Sequence, residues 1–269
     1  MLQLQHRFRA GLIPSINRSV LLEKALSRRM TSHIDIEALG RKISEKYSAC
    51  DVSDALLKLK VPNAGFLPDI SPIPRKGVSR LHIVAPISTI IFVPKDHQPG
   101  VQLNAFVPAE SNMPKGKHWS DLPSPGTIAL LQQPQGQICA VLGDIMATRL
   151  KIRGVKGVVA DGRVRDIVSI SDICDQGNFT CWSKGFSTVG TGLQAKPWAY
   201  DVPIRIGDVV VRPGDLLCAD EGERGLVVIP QEQIQAAAKL FPSLKEADDK
   251  VVADVQSGVD VSEAFRRHR

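Results

Sequence analysis

Aromatic residues are scarce in this chain, 5% of 269 residues, and the sequence contains no long uninterrupted apolar run. A bilayer-spanning helix needs roughly 18–20 such residues. The longest candidate, Ile83 to Val93, is interrupted by Pro86 and reads as one or two strands, so nothing here points to a membrane. No Walker sequence occurs. Gly190-Thr191-Gly192 lacks the G-x-G-x-x-G spacing between a strand and a helix, which argues against ATP, dinucleotide and methyl-donor sites. The six histidines do not cluster, which speaks against a histidine metal centre. Five cysteines (Cys50, Cys139, Cys174, Cys181, Cys218) are an odd number without a C-x-x-C pair, a pattern that suits a reducing compartment. Cys174 and Cys181 have no histidine beside them and read as ordinary buried thiols.

Positive charge is unevenly placed. The formal net charge is +6, yet residues 1–31 carry six basic side chains against the single acid Glu23, leaving the remainder close to neutral. The body of the chain therefore offers no basic surface for nucleic acid. A short, arginine-bearing, acid-poor stretch with Leu21, Leu22, Ala25 and Leu26 at helical spacing has the make-up of a mitochondrial presequence cleaved between Arg29 and Ser32. The alternatives are a basic tail or initiation at Met30, with the cytoplasm as location. Residues 32–269 read as a single domain.

At 43% hydrophobic, the chain as a whole can bury a sizeable core. Ile36, Leu39 and Ile43 place a helix over Ile34 to Tyr47, and a second runs from Val52 to Leu59, started by Asp51 or Ser53. Strands follow from Ser79 to Val93. Residues 94–126 are rich in Pro and Gly, contain His118-Trp119, and form a long loop that is either a lid or a peripheral contact. Short β segments alternate with Gly and Pro from Lys184 to Pro230. A helix over Gln231 to Leu240 is expected to break at Pro242. Ser243 to Glu246 then opens a last helix whose apolar face is Leu244, Ala247, Val251 and Val255, and the basic tail from Ala264 is solvated.

The most informative stretch is Gly143 to Asp166, GDIMATRLKIRGVKGVVADGRVRD. An apolar run, Gln137 to Leu142, reads as a buried strand. Gly143-Asp144 turns it into a helix whose first amides (Asp144, Ile145, Met146, Ala147) lack intrahelical acceptors. Such a terminus favours a carboxylate or phosphate. Gly154 and Gly157 lead into a second strand, Val158 to Ala160, closed by Asp161-Gly162. Two strands joined by a crossover helix lie parallel, so their carboxyl ends meet at one edge, with Arg165 and Asp166 facing the helix amides. An arginine fork binds a keto acid's oxygens, and an adjacent aspartate can hold a hard divalent cation. A surface Arg-Asp pair is the plainer alternative.

This segment resembles the motif of the family that joins the regulator of ribonuclease activity A with the 4-hydroxy-4-methyl-2-oxoglutarate aldolases, in which a Gly-acid-x-x-Ala helix start is followed by DGxVRD. Asp51 to Leu56 (DVSDAL) is similar to the family's N-terminal block. Pro213-Gly214-Asp215, Ala219-Asp220 and Val227 to Pro230 resemble its C-terminal block, so the likeness covers residues 36 to 257. The resemblance is to a eukaryotic, fungal-type member of that family. The resemblance implies an α/β fold, a layered β/β/α swivelling-type domain with flanking N- and C-terminal helices, assembled as a homotrimer or hexamer.

It also implies a metal-dependent pyruvate aldolase that cleaves 4-hydroxy-2-oxo acids and decarboxylates oxaloacetate through pyruvate enolate. Arg165 would bind the pyruvyl group and stabilise the enolate oxygen. Asp166 would hold Mg²⁺, Mn²⁺ or another divalent metal, and the Gly143-Asp144 turn with the amides of Ile145, Met146 and Ala147 would take the substrate carboxylate. A Schiff-base mechanism would need a buried lysine, for which only Lys156 comes into question. Members tend to carry an acid where this chain has Ser169, with Asp172 a turn further on. The other implied roles are a non-catalytic regulator that binds RNA-processing proteins, or an aldolase for another, sugar-derived 2-keto acid.

Overall fold

The computed structural model describes residues 35–77 and 80–269. The presequence expected in residues 1–31, and the expected element starts at Ile34 and Ser79, lie outside the described residues.

Helix α1 (Ile36–Lys46) turns Ile43 into the core and precedes α2 (Ala49–Lys58). The second helix begins earlier than Asp51 or Ser53 because Ser48 caps it. The Ser48 hydroxyl accepts the Asp51 amide at 3.2 Å, and the Asp51 carboxylate accepts the Ser48 amide at 2.7 Å. This reciprocal box satisfies two otherwise orphaned donors.

One mixed sheet carries the fold. After the short β1 (Ser71–Pro72), β2 (His82–Pro94) runs unbroken through Pro86. Its first half pairs antiparallel with β9 (Leu216–Asp220). Its second half pairs parallel with β3 (Ile128–Gln132) and antiparallel with β6 (Ala195–Tyr200). Strand β3 lies parallel to β4 (Gly157–Val164), which lies parallel to β5 (Thr180–Phe186). With β10 (Gly225–Ile229) on β9, the order β1-β5-β4-β3-β2-β9-β10, with β6 also on β2, nearly closes the sheet. A separate hairpin, β7 (Ile204–Ile206) and β8 (Val209–Val211), precedes β9.

Both sheet faces are buried, which is why its strands read as continuous apolar runs. Ile87, Ile91, Ile128, Leu130 and Val159 point into a core closed by the β7–β8 hairpin. Their neighbours Ile90, Phe92, Ala129, Leu131 and Val158 point to the opposite core, under helices α3 (Asp144–Ile152) and α4 (Ile167–Asp175). The result is a mixed α/β architecture of a nearly closed sheet with flanking helices.

Three expected boundaries differ. Gln137 to Leu142 forms no strand and makes only isolated bridges, Ala140 to Gly190 and Leu142 to Val164, with bends at Cys139 and Val141; the strand that feeds the crossover is β3. Strand β4 continues through Asp161-Gly162 to Val164 instead of stopping there, with a register irregularity between Ala160 and Arg163. Helix α5 (Ile234–Gln256) runs through Pro242. Proline forfeits one backbone hydrogen bond there. Burial of Phe241 and Leu244 on either side, with Phe241 against the Tyr47 ring at 5.0 Å, holds the helix together, and Val255 is exposed instead of lining its apolar face.

The C-terminus is anchored. In α6 (Val261–His268), Arg267 and His268 reach Asp254 of α5 at 3.2 and 3.1 Å, and Arg269 reaches Asp54 at 3.5 Å.

Candidate functional site

The β3-α3-β4 crossover brings Gly143, Asp144 and the Arg165-Asp166 pair to one edge, where they line a cavity of about 290 Å³. Asp166 is the N-cap of α4 but sits in the left-handed region (φ 60°, ψ 42°) and makes no cap bond to its own helix. Its carboxylate turns instead toward α3. Oδ2 accepts the Asp144 amide at 3.3 Å and lies 3.3 Å from Arg165 Nε. A non-glycine residue in this conformation carries a cost of roughly 1–2 kcal/mol. Aspartate tolerates it better than most, and such strain concentrates at functional positions.

Close packing against glycine fixes the pair. A Cβ on Gly143 would lie 2.6 Å from Asp166 Oδ2 and 3.2 Å from Arg165 Nε, and one on Gly190 would lie 3.0 Å from an Arg165 terminal nitrogen. Gly190 is held by the Ala140 amide, which donates to Val189 O at 2.7 Å, and by Thr191, whose hydroxyl donates to Ala140 O at 2.7 Å. The guanidinium thus lies in a slot between two backbones that have no side chains. Arg165 and Asp166 remain 41% and 34% exposed, open to a ligand.

The helix terminus is less vacant than the sequence suggests. Gly143 is the N-cap, so its carbonyl accepts the Ala147 amide at 3.0 Å in the first intrahelical bond. The Ile145 amide donates to Asp144 Oδ1 at 2.7 Å, which leaves the Met146 amide without a partner among the described residues. The anion site expected over Ile145, Met146 and Ala147 narrows accordingly.

Several lining residues came from outside the motif. The 94–126 loop delivers His118 and Trp119, while Gly190, Thr191 and Pro197 come from the segment around β6. Trp119 is 5% exposed and meets Phe92 edge-on at 5.5 Å between ring centroids. Asp121 accepts Arg149 Nε of α3 at 2.7 Å, and this bond holds its carboxyl below the usual range. The loop is therefore fastened to the helix that builds the site. No local signal in the sequence marks Gly190 or Pro197 as its walls.

Among the described residues no lysine lines this cavity, and Lys156 is exposed beside a different hollow. Asp172 pairs with Lys76 at the surface, away from the Arg165-Asp166 edge. The other motif blocks are structural within the chain. Val52, Ala55 and Leu56 are core; Asp215 accepts the Arg212 and Gln231 amides; Asp220 accepts the Ala49, Gly222 and Glu223 amides.

The family description RraA-like, Aldolase/RraA, matches residues 49–228, well over half of the chain. The chain belongs to the RraA-like family. A proposed 4-hydroxy-4-methyl-2-oxoglutarate aldolase of Halalkalibacterium halodurans is 30% identical over 49% of this chain and 60% of its own length. Protein DlpA of Legionella pneumophila is 23% identical over 85% of this chain, a stretch that makes up only 32% of DlpA. The chain thus spans 32% and 60% of the lengths of these two relatives. The crystal structure of an uncharacterized Pseudomonas syringae protein, 22% identical, superposes with a TM-score of 0.65 over 84% of this chain and 96% of its own. That likeness shows the same RraA-like fold.

Proposed function

We propose that this RraA-like protein is a divalent-metal-dependent pyruvate aldolase that cleaves 4-hydroxy-2-oxo acids, such as 4-hydroxy-4-methyl-2-oxoglutarate, and decarboxylates oxaloacetate through pyruvate enolate. One observation carries the reading. Asp166 is held in a strained conformation that points its carboxylate away from its own helix and beside the Arg165 guanidinium, at the rim of a cavity sized for a small keto acid.

Arg165 would bind the keto acid's oxygens and balance the negative charge that develops on the enolate oxygen. The Met146 amide at the positive end of α3 would take the carboxylate. Trp119 and Pro197 would wall the cavity against water. The donor set at this edge, Asp166 with Asp144 nearby, is all oxygen, which suits a hard cation that keeps most of its water shell and meets the protein through one or two carboxylates. Asp166, whose Oδ2 also accepts the Asp144 amide beside Arg165, would hold Mg²⁺ or Mn²⁺. When bound, the metal supplies Lewis-acid polarisation of the 2-keto oxygen.

A homotrimer or hexamer is part of the proposal, supported by the exposed apolar side chains Ile138, Val168, Phe186 and Leu193. So is mitochondrial targeting by residues 1–31, with the cytoplasm as the alternative. The second reading, a non-catalytic regulator of RNA-processing proteins, draws on the double description of the family. Deuterium exchange into the pyruvate methyl group, followed by NMR with added Mg²⁺, separates the two. An enolate-forming site exchanges the methyl protons, and Arg165→Ala slows exchange by about a hundredfold or more. A folded protein that exchanges nothing supports the regulator.

A further inference from the structure

The pyruvyl half of the substrate accounts for Arg165 and the α3 terminus but leaves one polar group on the cavity wall unused. His118 is the only imidazole among the lining residues, and it comes from the 94–126 loop, outside the segments that carry the family motif. Its place relative to α3 is set by buried Trp119 beside it and by the Asp121–Arg149 bond three residues on.

The ring orientation is set as well. His118 Nδ1 accepts the Ser120 amide at 3.2 Å and lies 2.8 Å from the Ser120 hydroxyl, which makes His118 the side-chain cap of the 3-10 turn Trp119–Asp121. A backbone N–H can only donate, so Nδ1 keeps its lone pair and the proton of the neutral ring resides on Nε2. Among the described residues, Nε2 has no hydrogen-bond partner. His118 is exposed, so this donor is open to a ligand in the cavity that Arg165 and Asp166 also line.

We infer that His118 Nε2–H donates to an oxygen on the part of the 2-keto acid beyond C3, and so selects substrates that carry a carboxylate or hydroxyl there. The inference rests on the enolate reading above. Arg165 and the Met146 amide recognise the carboxylate and keto oxygen that all 2-keto acids share, whereas His118 distinguishes what is attached to them. A neutral donor suits this role, because it orients the distal oxygen without competing with Arg165 for the pyruvyl carboxylate.

The test compares two rates in the full chain with Mg²⁺: oxaloacetate decarboxylation, which uses the distal half, and pyruvate methyl exchange, which does not. His118→Asn is the informative variant, since asparagine can still cap the Ser120 amide but lacks a donor at the Nε2 position. His118→Ala removes both functions. The expected result is that His118→Asn lowers kcat/KM for oxaloacetate, mainly through KM, by about tenfold more than it lowers pyruvate exchange, the weight of one lost hydrogen bond. Equal loss in both rates, or no change in KM, overturns the inference and assigns His118 to loop structure. Pyruvate exchange without oxaloacetate turnover in the unaltered protein also overturns it while leaving the enolate reading in place. Absence of both in the unaltered protein overturns the two together.

Discussion

The Asp166 carboxylate reaches back across the site to the backbone amide of Asp144, 3.3 Å away, instead of capping the helix that Asp166 begins. Two helix starts are thereby joined by one side chain. The link places an arginine, a carboxylate and the positive end of α3 around a single small cavity.

Gly143→Ala tests that link. The glycine has φ −134°, which any residue can adopt, so the backbone is not strained by the change. The new methyl group would meet Asp166 Oδ2 at 2.6 Å and displace the carboxylate. Pyruvate exchange should fall on the order of a hundredfold, the usual consequence of shifting a reacting group by about an ångström. The thermal unfolding midpoint should move little. Full activity in this variant would show that the Asp166 position is not needed.

A second prediction concerns the buried pair Arg75 and Glu221, each 3% exposed, with Arg75 Nε at 2.7 Å from the carboxylate. Thr180 donates to the same glutamate at 2.6 Å, and Arg75 also donates to Phe179 O at 2.7 Å. Arg75→Met should cost about 3–5 kcal/mol in urea unfolding, because it strands a buried charge. Arg75→Met with Glu221→Gln should recover much of that loss. Equal destabilisation in the single and double variants would mean that the stranded charge is not the cause.

His82 supplies a pH dependence. Burial lowers its pKa below 6.5, opposed by Asp220, whose carboxylate lies 3.8 Å from Nδ1; Cys218 Sγ lies 3.1 Å from Nε2. The folded state therefore binds this proton less readily than the unfolded state. Its contribution is neutral above the unfolded value of about 6.5 and becomes destabilising as pH falls through it, levelling off below the folded pKa. His82→Gln should flatten the decline in unfolding free energy between about pH 7 and 5. Identical slopes would remove His82 from the account.

Much of this site is legible in local sequence. Gly143-Asp144 and Arg165-Asp166 announce a helix start and a strand end that a parallel crossover must bring together, and β3, α3 and β4 do so. What local pattern does not encode is long-range. Gly190 matters because its bare backbone leaves room for Arg165, and His118 because Trp119 and Asp121 fasten its loop to α3. The amides open to an anion are fewer than the helix start suggests for a simpler reason: with Gly143 as N-cap, Ala147 already has its helical acceptor. Pro242 does not break its helix, since burial of Phe241 and Leu244 outweighs the lost hydrogen bond. Asp51, read as a helix start, serves the box that begins at Ser48.

The most direct test of the enolate account is pyruvate release from oxaloacetate and from 4-hydroxy-4-methyl-2-oxoglutarate, measured with Mg²⁺ and with EDTA, for the unaltered protein and for Asp166→Ala. The account predicts metal-dependent release that EDTA abolishes and that Asp166→Ala reduces by about a hundredfold or more. Release that persists in EDTA, or that Asp166→Ala leaves at full rate, would contradict it.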